Sequence, residues 1–138
     1  MGIRERTGGR PLIEDPTFSA RLAECEQEVM AIDMTVARVI HQGLHDRNGG
    51  SAVGSMLKVR GTEIAQKLTD MLVEAAGDYG AMFYPDSNEE PALRNGVPVG
   101  PDYAPGLMAE LIYRRAASIY GGTNEIQRNI IAKLRFGF

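Results

Sequence analysis

Ser118-Ile119-Tyr120-Gly121-Gly122-Thr123-Asn124-Glu125-Ile126-Gln127-Arg128-Asn129-Ile130-Ile131-Ala132 sets two glycines between two stretches of helical spacing. The pattern predicts that one helix stops at Gly121-Gly122 and another starts at once. Thr123 is the expected N-cap, Glu125 falls in the first turn, and Lys133 and Arg135 fall in the last, where each charge complements the helix dipole. Unpaired backbone N–H groups and polar side chains then converge on one sharp corner, a geometry that suits an anionic or polar ligand. An ordinary helix–helix corner fits the same residues.

Working outward, Leu107, Leu111 and Ile112 place a short helix before the corner. Upstream, Phe83 to Pro105 holds five of the seven prolines, with Asn88, Asn95, Gly96 and Gly100, and reads as a long loop, expected to be the most mobile part of the chain. Two long amphipathic helices come first. Phe18, Leu22, Cys25, Val29, Ile32, Val36, Ile40 and Leu44 recur at helical spacing, and Asp15-Pro16 supplies an N-cap followed by proline at the first helical position. After the turn Asp46-Arg47-Asn48-Gly49-Gly50, a second stripe runs through Val53, Leu57, Gly61, Ile64, Leu68, Met71 or Leu72, and Ala75, ending near Gly77 or Gly80. A short turn makes the pair antiparallel, and Gly61 on the inner stripe is expected to admit a neighbouring backbone. The expected architecture is an all-α, up-down bundle of two long and two short helices: residues 1–15 as lead-in, 16–138 as one helical domain, and the loop at 83–105.

The 138 residues carry 43% apolar and 24% charged residues with a net charge of −3, the composition of a soluble globular chain with no basic footprint for nucleic acid. No apolar run is long enough to span a bilayer. One cysteine, Cys25, excludes an internal disulfide and a cysteine-based zinc cluster; with no signal-peptide core after Met1, the cytoplasm is the expected location. Cys25 lies on the apolar stripe and reads as core. His41 and His45 stand four apart but lack the Glu between them that a metalloprotease needs, and read as histidines at a helix end. Glu24, Glu26, Glu28 and Asp33 lack the Glu-x-x-His pairs of a bundle di-metal site and read as a solvated face. The three Gly-Gly pairs match neither GxGxxG nor a P-loop.

The segment Ser118–Ala132 resembles the C-terminal signature of acyl-CoA dehydrogenases. Arg6-Thr7-Gly8-Gly9-Arg10-Pro11-Leu12 resembles the turn that precedes a long helix in that family. Lys58-Val59-Arg60-Gly61-Thr62-Glu63-Ile64 and Gly100-Pro101-Asp102-Tyr103-Ala104-Pro105-Gly106 are similar to a bacterial branch that includes pimeloyl-CoA dehydrogenase-like chains. The resemblance covers the family's C-terminal helical domain; complete members also carry an N-terminal helical domain and a middle β-domain. It implies an FAD enzyme that converts an acyl-CoA substrate to a trans-2-enoyl-CoA: a buried carboxylate takes the α-proton, hydride passes from Cβ to the flavin, and electrons leave to an electron-transfer flavoprotein or similar acceptor. It also implies homo- or hetero-oligomers in which the domain contributes to a neighbouring subunit's FAD site. Carried over by position, Arg6, Thr7, Gly77, Thr123 and Glu125 are the expected FAD contacts. No catalytic residue is assigned, because Gly121 occupies the position at which many relatives have the glutamate base; other members carry the base on a helix that would precede Met1. Gly8 replaces an aromatic residue and Glu74 a glutamine. The expected activity belongs to a longer chain, with these residues alone inactive; the alternative is a non-catalytic oligomerisation module derived from the family.

Overall fold

The computed structural model describes residues 6–7, 9–41, 52–82 and 100–137. Four α-helices account for most of them: α1 (Pro16–His41), α2 (Ala52–Ala76), α3 (Leu107–Arg115) and α4 (Asn124–Phe136). Short 3-10 turns lie at Leu12–Glu14, Gly77–Ala81 and Ala116–Ser118. The fold is all-α, two long helices and two short ones, as expected. The lead-in adds a feature beyond the expected helices: β1 (Arg6–Thr7) and β2 (Arg10–Pro11), on either side of Gly8-Gly9 in the sequence, pair antiparallel, Thr7 opposite Arg10. Gly8, Leu44, His45, the expected turn at 46–50 and loop residues 83–99 lie outside the described residues.

α1 starts where its cap predicts. Asp15 Oδ1 accepts from the backbone N–H of Thr17 at 3.0 Å and of Phe18 at 2.8 Å, two donors that the helix itself cannot satisfy. Along α1 and α2, Arg21 meets Glu74, Cys25 meets Met71 and Glu28 meets Lys67, so residue numbers rise on one helix as they fall on the other, and the pair is antiparallel. Phe18, Cys25, Met71 and Ala75 are buried together, with Leu12, Leu22 and Leu68 packed around them. Cys25 is thus core; its Sγ sits 4.0 Å from Met71 Sδ, and burial pushes the thiol above its ordinary pKa, away from the reactive thiolate.

Two readings of α1 need correction. Glu24, Glu26 and Asp33 are exposed, but Glu28 is not on a solvated face: its carboxylate is mostly buried at the α1–α2 seam, where Lys67 Nζ donates at 2.8 Å and Arg60 lies at 3.2 Å. The hydrogen bond from Lys67 is the main cause that holds the Glu28 carboxyl below its ordinary pKa. Further along, Val36 and Ile40 face outward. The covered positions advance by seven residues, Phe18, Cys25, Ile32 and Val39, a repeat that drifts about 20° per heptad against a straight helix, whereas Val36 and Ile40 stay on the line of Phe18 and Leu22 and lose the contact.

α2 packs on two sides. Ile64, Met71 and Ala75 are buried on the side that α1 covers, while Ser55, Val59 and Thr69 are buried on the opposite side, where Gln66 donates to the Arg114 carbonyl at 3.0 Å and Asp70 pairs with Arg115. A third side stays open. A Cβ built on Gly61 has nothing within 4 Å, so the close backbone approach expected there is absent from the described residues; Leu57 and Leu72 flank it at helical spacing, and Leu72 is exposed. The last residues of the loop are docked: Ala104 is fully buried, and Gly100 (φ 103°) lies so close to the Tyr79 ring that a Cβ would come within 2.5 Å of it. Residues 100–106 form no helix, so the described end of the expected loop runs to the start of α3 at Leu107.

These environments predict opposite outcomes for two α2 substitutions. Met71→Ala should lose about 2–5 kcal/mol by opening a cavity in the core. Gly61→Ala should gain about 0.5–1 kcal/mol by removing a helix-interior glycine at no steric cost. Chemical denaturation of both variants measures the difference.

Candidate functional site

The corner between α3 and α4 is built as its residues dictate. Gly121 (φ 68°) and Gly122 (φ 88°) both occupy the left-handed region that glycine enters without strain, which lets the chain reverse within two residues. Thr123 then caps α4, its Oγ1 accepting from the Ile126 N–H at 3.2 Å. Gln127 Nε2 donates back to the Gly121 carbonyl at 3.1 Å and closes the turn. Lys133 and Arg135 lie in the last turn, and Gly137 (φ 77°) ends the helix with its N–H on the Lys133 carbonyl at 3.1 Å. The backbone at Gly121 also bears on the missing base. A glutamate there would have to take a left-handed conformation, so the turn as built favours glycine over a carboxylate.

Glu125 is exposed at the α4 N-terminus. Its own backbone N–H, then the Thr123 hydroxyl, hold its carboxyl below the ordinary pKa, with smaller contributions from Arg128 and Lys58. Asn124, between these two residues, points the other way. It is buried, its Oδ1 accepts from Lys58 Nζ at 2.8 Å, and its Nδ2 donates to Thr62 Oγ1 at 3.2 Å. The Thr62 hydroxyl in turn donates to the Val59 carbonyl at 2.8 Å. One helical turn along, Arg128 reaches Glu63 at 2.7 Å. Sequence reasoning found Thr123 and Glu125 but missed Asn124, Lys58 and Thr62. The available signal was a second small polar residue directly after the N-cap, together with Lys58 and Thr62 four apart on one side of α2.

The structure separates the expected contacts into two groups. Thr123 and Glu125 lie beside Lys58 and Thr62 in the first half of α2, whereas Gly77 follows its last residue, Ala76. At 1.5 Å per residue, about 27 Å of helix divides Lys58 from Ala76. Arg6 and Thr7 belong to the Gly77 end. Their ladder partners Arg10 and Pro11 lead into Leu12, which packs on the cluster containing Ala75. Gly77 is exposed with φ 57° and open space over its Cα. Glu74 adds no unbalanced charge there, because Arg21 Nη1 sits 2.7 Å from its Oε2. His41 is exposed, and no group of three metal-ligating side chains occurs among the described residues.

The α4 cap yields a pH-dependent prediction. Thr123→Ala should cost about 1 kcal/mol. Because the folded-state pKa of Glu125 is lowered, its contribution is present above the ordinary carboxyl pKa and is lost as pH falls through the lowered value. Thermal melts of wild type and Glu125→Gln should therefore differ most near neutrality and converge in acid.

Residues 3–134 match the family model described as "Acyl-CoA dehydrogenase, C-terminal domain". Among solved structures, a chain from Mycobacterium abscessus, described as a proposed acyl-CoA dehydrogenase, superposes with a TM-score of 0.69 at 21% identity, over 99% of this chain and 29% of that one. The present chain thus spans less than a third of that relative's length. A search of curated proteins gives no match. With the family model covering nearly the whole chain and the same helical fold in a solved structure, the chain belongs to the acyl-CoA dehydrogenase family, as its C-terminal domain.

Proposed function

We propose that the chain serves as the C-terminal domain of an FAD-dependent acyl-CoA dehydrogenase that forms a trans-2-enoyl-CoA from an acyl-CoA thioester. The observation that carries this reading, beyond family membership, is the division of the expected contacts into two groups beside opposite ends of α2. Groups that flank Lys58 and Ala76, about 27 Å apart along α2, would meet two different flavins at the boundaries of an assembly. The corner offers a capped helix N-terminus and the Thr123 hydroxyl on an open surface bracketed by exposed Ile119, Tyr120 and Ile126, which suits a cofactor seated by another domain. At the other end lie Gly77 and β1, the expected contacts for a phosphate-bearing portion. The cofactor, when bound, supplies the hydride-accepting centre; the described residues can bind and orient it. The proton-abstracting carboxylate is expected upstream, because Gly121 bears none.

Assembly follows from the same surfaces. No large side chain among the described residues is fully buried, and Met30, Met34 and Ile40 on α1 are each about two-thirds exposed. Together with the open Gly61 side of α2, they form apolar area that a second copy, or a related chain, would cover. No helix of the described residues is long and apolar enough to cross a membrane. The proposed setting is the cytoplasm, with an electron-transfer flavoprotein or similar acceptor, and the bacterial pimeloyl-CoA dehydrogenase-like branch is the proposed affiliation. The alternative, an assembly module without catalysis, is favoured by Gly121 alone.

Two outcomes follow. Supplied with FAD, a panel of acyl-CoA thioesters and an artificial acceptor, the complete natural chain should turn over and the 138 residues alone should not, since loss of a general base costs about 10² to 10⁴ in rate and the remaining domains are absent. Turnover by the short chain that Glu125→Gln abolishes would overturn this assignment. In sedimentation at micromolar concentration the 138-residue chain should self-associate, and Met34→Glu with Ile40→Glu should disperse it. A monomeric wild type contradicts the proposed surface.

A further inference from the structure

Asn124 is an unusual residue to bury, and its surroundings explain how it is tolerated. Its amide carbonyl and amide nitrogen are both satisfied, by Lys58 and Thr62, one turn apart on α2. Lys58 is unusual in the complementary way. The residue is half-buried and its ammonium ends on a neutral amide, with no carboxylate of the described residues within ion-pair distance, although Arg60, Lys67 and Arg128 nearby all have one. Holding a partly desolvated cation against an amide costs free energy that an exposed surface lysine would not incur. What that arrangement secures is the start of α4: Asn124 lies between Thr123 and Glu125, so fixing it fixes both neighbours relative to α2. The Lys58 charge also reaches Glu125, whose carboxyl it helps to keep ionised.

We propose that Lys58 and Thr62, acting through Asn124, are positioning residues that hold the Thr123–Glu125 corner in the orientation in which it meets the flavin. The proposal rests on the FAD reading above, and its test has one arm that does not. In the 138-residue chain, Lys58→Met should speed hydrogen exchange at the Ile126 and Gln127 amides roughly tenfold, the scale of losing one charge-assisted hydrogen bond, and Lys58→Arg should restore most of the protection. Asp70→Asn, which breaks the Arg115 pair on the same helix without touching the corner, should leave those amides unchanged. In the complete natural chain, Lys58→Met should weaken FAD binding by a similar factor and alter the visible absorbance of bound flavin, while Asp70→Asn does neither. Unchanged corner exchange in Lys58→Met overturns the positioning role. Faster exchange with unaltered FAD affinity and spectrum overturns its connection to the cofactor. A wild-type complete chain that binds no FAD refutes the cofactor reading itself, and the exchange arm then still decides whether Lys58 orders the corner.

Discussion

The structure depends on α2 being packed on two opposite sides at once. On one side its C-terminal half closes the small core of Phe18, Cys25, Met71 and Ala75 with α1; on the other its N-terminal half holds α4 through Asn124. Neither short helix makes a sizeable core of its own. α3 contributes no buried residue, and the buried residue of α4 is Asn124 itself. The ion pairs Arg21–Glu74, Arg115–Asp70 and Arg128–Glu63 join the same elements, but they are exposed, and such pairs contribute about 0–1 kcal/mol each. Register comes from the apolar contacts on one side of α2 and the buried amide on the other.

Local signals in the sequence are decisive where one residue type meets one backbone requirement. Asp15 before Pro16, Gly121-Gly122 before Thr123, and Lys133 with Arg135 in the last turn each answer a local need, and each sits where expected. Signals that depend on partners are weaker. A single stripe of apolar residues on α2 describes one buried side; on the second, Ser55, Thr62 and Thr69 surround Val59, a mostly polar set that hydropathy does not mark. Glu28 looks the same in sequence as Glu24 and Glu26, and only the arrival of Lys67 and Arg60 from α2 distinguishes it. Val36 and Ile40 keep helical spacing yet face outward, because contact along two long helices follows a seven-residue repeat.

The candidate site was legible mainly through resemblance. Composition and periodicity mark a polar corner at Tyr120–Glu125, and the family pattern alone adds Arg6, Thr7 and Gly77. Geometry then supplies what neither contained: the two groups occupy opposite ends of α2, and Asn124 turns inward between the two expected contacts. The apolar surfaces left open on α1 and at Gly61 fit a domain that works beside others, as does its span of 29% of a solved relative.

The central claim is that the two ends of α2 serve different flavins in an assembly. It is tested most directly by mixing two complete natural chains, one carrying Thr123→Ala with Glu125→Ala and the other carrying Arg6→Ala with Thr7→Ala, and counting bound FAD. Each variant alone should bind little. If the ends serve different flavins, the mixed oligomer contains sites built from two intact ends and sites built from two altered ones, so FAD should return to a fraction of the sites. If both ends meet the same flavin within one chain, every site in the mixture carries one defect, and FAD binding should stay as low as in the separate variants.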